Sequence, residues 1–201
     1  MSTVFSRIAA ALAEHPKILG QVPPSFSHPD FKLPKEWVRV WLEGGELPAE
    51  IEGQKIDRLM LSTLIQQTLR PFLVGYAQAF KGSFDQDRWR RSYCPACGSK
   101  PDFAYLEKEA GARWLVCSTC SNEWLFKRTE CPYCGNSDHH TLSFLAGDNS
   151  PYRLYLCQKC HSYLKAIDLR KTDKGHLMPL EALTTLSLDR QAQEMGYHRG
   201  V

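Results

Sequence analysis

CPACGSKPDFAYLEKEAGARWLVCSTC (94–120) and CPYCGNSDHHTLSFLAGDNSPYRLYLCQKC (131–160) hold all eight cysteines of this 201-residue chain. They fall into four C-x-x-C pairs: Cys94/Cys97, Cys117/Cys120, Cys131/Cys134 and Cys157/Cys160. A C-x-x-C turn places two sulfurs on one side of a tight knuckle, so two knuckles surround one tetrahedral ion. The intervening stretches are 19, 10 and 22 residues long. Long, short, long pairs the first knuckle with the second and the third with the fourth, and makes the short stretch a linker. The first spacing lies within the range read as a zinc ribbon, and the second runs slightly past it.

The two halves repeat each other, which supports that pairing. Each opens on C-P-x-C-G, and each reaches its second knuckle through a strand-like run, Arg113–Val116 and Arg153–Leu156. An arginine stands four residues before the cysteine in both, and an aromatic or aliphatic tail follows, Trp124-Leu125-Phe126 and Tyr163-Leu164. This is an internal repeat of a small ribbon. The sequence therefore predicts two metal ions, zinc or iron, one on Cys94, Cys97, Cys117 and Cys120 and one on Cys131, Cys134, Cys157 and Cys160. The knuckle suits both metals. A redox dithiol would instead show one C-x-x-C at a helix start in a βαβ setting. His139, His140 and His161 are surplus to two sets of four sulfurs and are expected at the surface or in packing.

Working outward, residues 2–14 read as a helix capped by Ser2 or Thr3, with Phe5, Ile8, Ala9 and Leu12 at helical spacing. Four prolines make residues 20–34 an irregular connector. A short helix is expected from Lys35 to Glu43, stopped by Gly44-Gly45. The longest periodic run, Ile51 to Phe80, carries Ile56, Leu59, Met60, Leu64, Phe72, Leu73, Tyr76 and Phe80 as a core stripe. Pro71 predicts a kink or a break near Arg70. Beyond Cys160 the pattern predicts a closing strand to Asp168, a helix over 179–194 with Leu180, Leu183, Leu186 and Leu188, and a frayed tail from Tyr197 to Val201. The class is thus α+β: a helical N-terminal domain (1–88), two tandem rubredoxin-like or zinc-ribbon modules (89–128 and 129–170), and a C-terminal helix and tail (171–201).

Composition narrows the function. The chain has 25 Lys and Arg against 22 Asp and Glu. The net +3 lies wholly in residues 90–201, with 15 basic and 12 acidic residues. A divalent ion on four thiolates is a −2 unit, so two of them take this half to about −1. A strongly basic nucleic-acid face is not indicated. No run is long and apolar enough for a membrane helix, and Ile8–Ala13 is short for a signal-peptide core. The thiols are expected in a reducing, cytoplasmic setting. No Ser-His-Asp pattern, phosphate loop or carboxylate dyad stands out, and no catalytic or organic-cofactor residue is assigned. An ion held by four sulfurs has no open position for water, so an enzyme is not expected.

Several longer motifs carry a resemblance. WRRSYCPACGSKP (89–101), RWLVCSTCSNEW (113–124), Arg128-x-x-Cys131, CQKCHSYLK (157–165) and LDRQAQEMGY (188–197) resemble the FdhE family of formate dehydrogenase accessory proteins. The resemblance runs from Trp89 to Arg199, while residues 1–80 are shorter than the family's helical region. It implies a cytoplasmic protein that binds the catalytic subunit of a molybdenum- or tungsten-containing formate dehydrogenase during maturation. It also implies metal ligation by all eight cysteines, with iron as well as zinc. Two other readings stand beside it: a rubredoxin-like iron electron carrier acting on the client, and a zinc-ribbon nucleic-acid binder.

Overall fold

The computed structural model describes residues 1–16, 21–51, 53–148 and 150–200. Gly20, Glu52 and Val201, which fall in the expected connector, periodic run and tail, lie outside these. The structure is mixed α+β and divides into two units, Met1–Phe72 and Leu73–Val201.

In the first unit, helix α1 (Ser2–Ala13) buries Phe5 and Ala9. No side chain caps it; Ser2 is already helical, and its hydroxyl accepts from the Leu33 amide at 3.2 Å. Phe5, Phe26, Phe31 and Trp37 form an aromatic cluster with ring centroids 5.2–6.4 Å apart. Helix α2 (Lys35–Leu42) begins after Pro34, and Gly44 ends it at φ +71°. The start of the expected long run is a two-stranded hairpin instead, β1 (Glu50–Ile51) with β2 (Gln54–Lys55). Gly53 turns it at φ +76°, a conformation that suits glycine. Helix α3 (Arg58–Phe80) then starts on Asp57, whose carboxylate accepts from the amides of Leu59 and Met60.

Pro71 does not interrupt α3. It removes one backbone donor, but the turns on either side keep theirs. The predicted stripe is only partly core. Met60, Leu61, Leu64, Ile65 and Leu69 are buried, whereas Leu59, Phe72 and Tyr76 are exposed. The apolar residues of α3 exceed what one helix face can bury, and periodicity does not say which rows lose.

The second unit is built on one sheet. The first module contributes β3 (Pro101–Leu106), β4 (Arg113–Cys117) and β5 (Glu123–Phe126). The second contributes β6 (Leu142–Ala146), β7 (Tyr152–Cys157) and β8 (Ser162–Asp168). Each module is an antiparallel meander, and the sheet order is β5-β4-β3-β8-β7-β6. The join is parallel, Phe103 with Lys165 through Leu106 with Asp168. In a meander the first and third strands run the same way. Laying the third strand of one copy beside the first of the other therefore gives a parallel contact.

All seven residues of β8 are buried. β7 covers one edge; the other is shared between β3 and β9 (His198–Arg199). The tail expected to fray is thus a strand, tied by the His198 amide to the His161 carbonyl at 2.8 Å. The single C-terminal helix is two, α4 (Met178–Thr184) and α5 (Leu186–Glu194), split at Thr185. Three of the four expected leucines are not core: Leu180, Leu183 and Leu186 are exposed, while Leu188 packs, half-buried, with Ala192 against Leu154, Leu156 and Tyr163.

A buried polar network fastens these helices. Lys165, fully buried in β8, donates to the Ala182 carbonyl at 2.7 Å and to the Asp189 carboxylate at 2.5 Å. Tyr163 donates to the same carboxylate at 2.7 Å. Nearby, Asp168 is held well below the usual carboxylate range, at about 2, chiefly by hydrogen bonds from Arg170 with Arg153 adding its charge. Its stabilising effect is complete above the ordinary aspartate pKa of about 3.9 and fades as pH falls toward 2.

Lys165→Ala would leave the buried Asp189 with only Arg199, 3.7 Å away and half-exposed, as a cation. Metal-loaded protein should lose about 3–5 kcal/mol in a denaturant titration. A loss below about 1 kcal/mol would mean the pair contributes no more than a surface bridge.

Candidate metal centres

Four knuckles of one shape build the two sites. In each, the residue after the second cysteine takes a left-handed conformation: Gly98 (φ +77°), Ser121 (+56°), Gly135 (+70°) and His161 (+53°). That residue's amide turns back to the carbonyl of the first cysteine at Gly98, Ser121 and Gly135. The first cysteine's own amide reaches the carbonyl five residues on, at Ser99, Asn122 and Asn136. The turn thereby points two sulfurs the same way. Glycine suits the position after C-P-x-C. Ser121 and His161 hold it because the strand that follows is locked into the sheet.

The structure brings Cys94, Cys97, Cys117 and Cys120 together, and separately Cys131, Cys134, Cys157 and Cys160. Within each set all four sulfurs lie within 4.8 Å of one another. At the first site Cys94 faces Cys120 at 3.5 Å and Cys97 faces Cys117 at 3.4 Å. At the second, Cys131–Cys160 and Cys134–Cys157 are both 3.7 Å. A disulfide would need about 2.05 Å, and every cysteine is free. Four thiolates around zinc at about 2.3 Å stand about 3.8 Å apart. The second site is at that spacing, and the first is a few tenths of an ångström tighter. The donor set fits zinc or iron, and either cluster can hold one ion.

Amide donors face the sulfurs. Ala96 donates to Cys94 at 3.4 Å, and Thr119 and Cys120 donate to Cys117 at 3.4 and 3.5 Å. At the second site the Asn136 side chain reaches Cys157 at 3.7 Å. Such donors stabilise sulfur in its thiolate form. The surroundings of the two sites differ. Cys94, Cys117 and Cys120 are buried in one cluster with Leu115, Trp124 and Phe126. Trp124 is fully buried there and donates to the Arg91 carbonyl at 2.9 Å. At the second site Cys134 is exposed and Cys160 half-buried.

Other residues of interest lie apart from the sulfurs. His139 and His140 are exposed beside Asp138. Trp114 stacks on Tyr105 rather than over a metal site. Two contacts were not legible in the chain. The Asn136 donor to Cys157 comes from a residue indistinguishable from any loop asparagine. The Lys165–Asp189 pair joins two motifs, CQKCHSYLK and LDRQAQEMGY, that carry the family resemblance but are not adjacent in sequence.

Residues 93–128 match the family model described as "FdhE, central domain". A "Protein FdhE homolog" from Aquifex aeolicus is 42% identical over 153 residues, 71% of this chain and 53% of that protein. One from Pseudomonas aeruginosa is 36% identical over 117 residues, 54% of this chain and 38% of that protein. The chain thus spans about half or less of the length of these relatives. The crystal structure of the FdhE protein from Pseudomonas aeruginosa is similar in fold, with a TM-score of 0.64 at 24% identity. That match covers 98% of this chain and 67% of that one. It therefore reaches N-terminal residues that the sequence motifs left unmatched. The resemblance to the FdhE family is borne out.

Protein loaded with zinc should carry two ions per chain and surrender them to a chelator in two phases, the second site first. Cys131→Ser with Cys134→Ser should remove the fast phase and leave the slow one. A single phase releasing both ions would show that the burial difference does not govern access.

Proposed function

We propose that this FdhE relative is an accessory protein for assembly or maturation of formate dehydrogenase, acting in the cytoplasm by binding the enzyme's catalytic subunit. The observation that supports it is the pair of closed four-cysteine clusters set in one sheet. Zinc or iron on Cys94, Cys97, Cys117 and Cys120, and on Cys131, Cys134, Cys157 and Cys160, would have four sulfur ligands and no position open to substrate. Such ions stabilise a scaffold. A module of about 40 residues buries too little apolar area to hold itself together, and metal binding of order 10 kcal/mol makes up the difference. In this reading residues 89–128 and 129–170 are metal-dependent modules, flanked by the helical N-terminal domain (residues 1–88) and the C-terminal helices and tail (residues 171–201).

An accessory protein also needs a surface for its client. Leu177, Leu180, Leu183 and Leu186, three residues apart along the C-terminal helices, are 52–67% exposed. Apolar side chains in a row at the surface are a common mark of protein contact. Among the described residues no helix is long and apolar enough to cross a membrane, so a membrane-spanning use of that row is not in view.

The exposure of Cys134 favours a second reading. Iron at that site would have an edge open to electron exchange, as in a rubredoxin-like carrier acting on the client. Iron-loaded protein that bleaches reversibly with dithionite, and reduces its client, would support it.

Tagged, metal-loaded protein should capture a formate dehydrogenase catalytic subunit expressed alongside it. Leu180→Ser with Leu183→Ser should weaken capture at least tenfold while metal content stays at two per chain. No capture by the unaltered protein would remove the reading. Equal capture by the double variant would move the client surface elsewhere.

A further inference from the structure

The second module carries a loop that the first lacks. From Cys97 the chain enters β3 after three residues, 98–100, whereas from Cys134 it takes seven, 135–141, to reach β6. The two modules otherwise share their knuckles and their meander. The longer loop includes Asp138, His139 and His140, three residues of metal-ligating type in a row, and all three are exposed. Neither the knuckle nor the sheet uses their side chains.

The loop is held in one shape. The Thr141 amide donates to the Asp138 carbonyl at 3.1 Å, which closes a turn with the two histidines at its tip. The Asp138 carboxylate accepts from the His140 amide at 3.0 Å, and the Asp138 amide donates to the Asn136 side-chain oxygen at 3.3 Å. Asn136 in turn donates to the Thr141 hydroxyl at 2.7 Å and to Cys157 Sγ at 3.7 Å. The turn is therefore braced against the second cluster.

Held this way, one ligand atom from each of Asp138, His139 and His140 lies within 4.8 Å of the others. The two imidazole rings are 4.0 Å apart between centroids and tilted by 38°. A tetrahedral ion with nitrogen and oxygen ligands at about 2.0–2.1 Å spaces them about 3.4 Å apart. Exposed side chains turn freely enough to close that gap. The carboxylate has about four acceptor positions, so the one given to the His140 amide leaves others for an ion. Imidazole suits zinc, nickel and copper. Three ligands leave a coordination position to water, so an ion here is open to exchange, unlike one inside four sulfurs.

We propose that Asp138, His139 and His140 form a third metal site, open and exchangeable, for a divalent transition ion of the zinc and nickel class. The site depends neither on the client reading nor on which metal fills the clusters.

The test is calorimetric titration of the full chain, carrying two zinc ions, with nickel chloride, zinc content being measured before and after. One saturable site beyond the two clusters is expected. His139→Ala with His140→Ala should weaken binding at least tenfold, and Asp138→Asn at least threefold, while zinc stays at two per chain. The three residues are exposed, so the variants should fold. His28→Ala, which removes an exposed histidine beside Asp30, should leave binding unchanged. In amide NMR spectra, substoichiometric nickel should broaden the signals of residues 138–141 first. Three results would each overturn the proposal: no saturable site, equal binding by the double histidine variant, or first broadening elsewhere in the chain.

Discussion

Four sulfurs brought within 4.8 Å of one another, twice in one chain, is the constraint on which the second unit rests. Thiolates at 3.4–3.7 Å repel, and thiols at that distance gain little from each other. A shared cation would make the convergence favourable. The left-handed residue after each knuckle, at Gly98, Ser121, Gly135 and His161, belongs to the same constraint. It turns the chain sharply after the second cysteine so that both sulfurs aim inward.

The sheet converts two small modules into one body. The parallel contact between β3 and β8 lets each module bury an edge that it would otherwise leave open. β8 is the centre of this arrangement, with β7 on one side and β3 and β9 sharing the other. Because both edges and both faces of β8 are covered, its lysine has to find partners inside. The Ala182 carbonyl and the Asp189 carboxylate supply them, and in doing so dock α4 and α5. A buried polar pair of this kind is weak evidence of stability, but it specifies one arrangement of the helices.

The repeat is not symmetric in its chemistry. One cluster sits under Trp124 and Leu115, and the other keeps Cys134 at the surface. One sheet arginine has an aspartate and its counterpart has Arg128 nearby. The two modules share one backbone geometry, an antiparallel meander between two knuckles. Side chains at equivalent positions differ, Asp168 standing where the other module has Arg128.

The chain alone determined the class, the repeat, the pairing of knuckles one with two and three with four, and the family resemblance. Those rest on local chemistry: sulfur spacing, knuckle glycines and strand-like runs are legible within a few residues. It did not determine which apolar rows would be buried. Leu59, Phe72, Tyr76, Leu180, Leu183 and Leu186 have core-like spacing and are exposed, because burial depends on what packs against a helix. The run from Ile51 concealed a hairpin, Pro71 left α3 whole, and the tail became a strand because β8 offered it an open stretch of edge. The Lys165–Asp189 pair and the unequal surroundings of Arg113 and Arg153 join residues distant in sequence. Only the packing of β8 against its neighbours, which no local pattern encodes, could decide them.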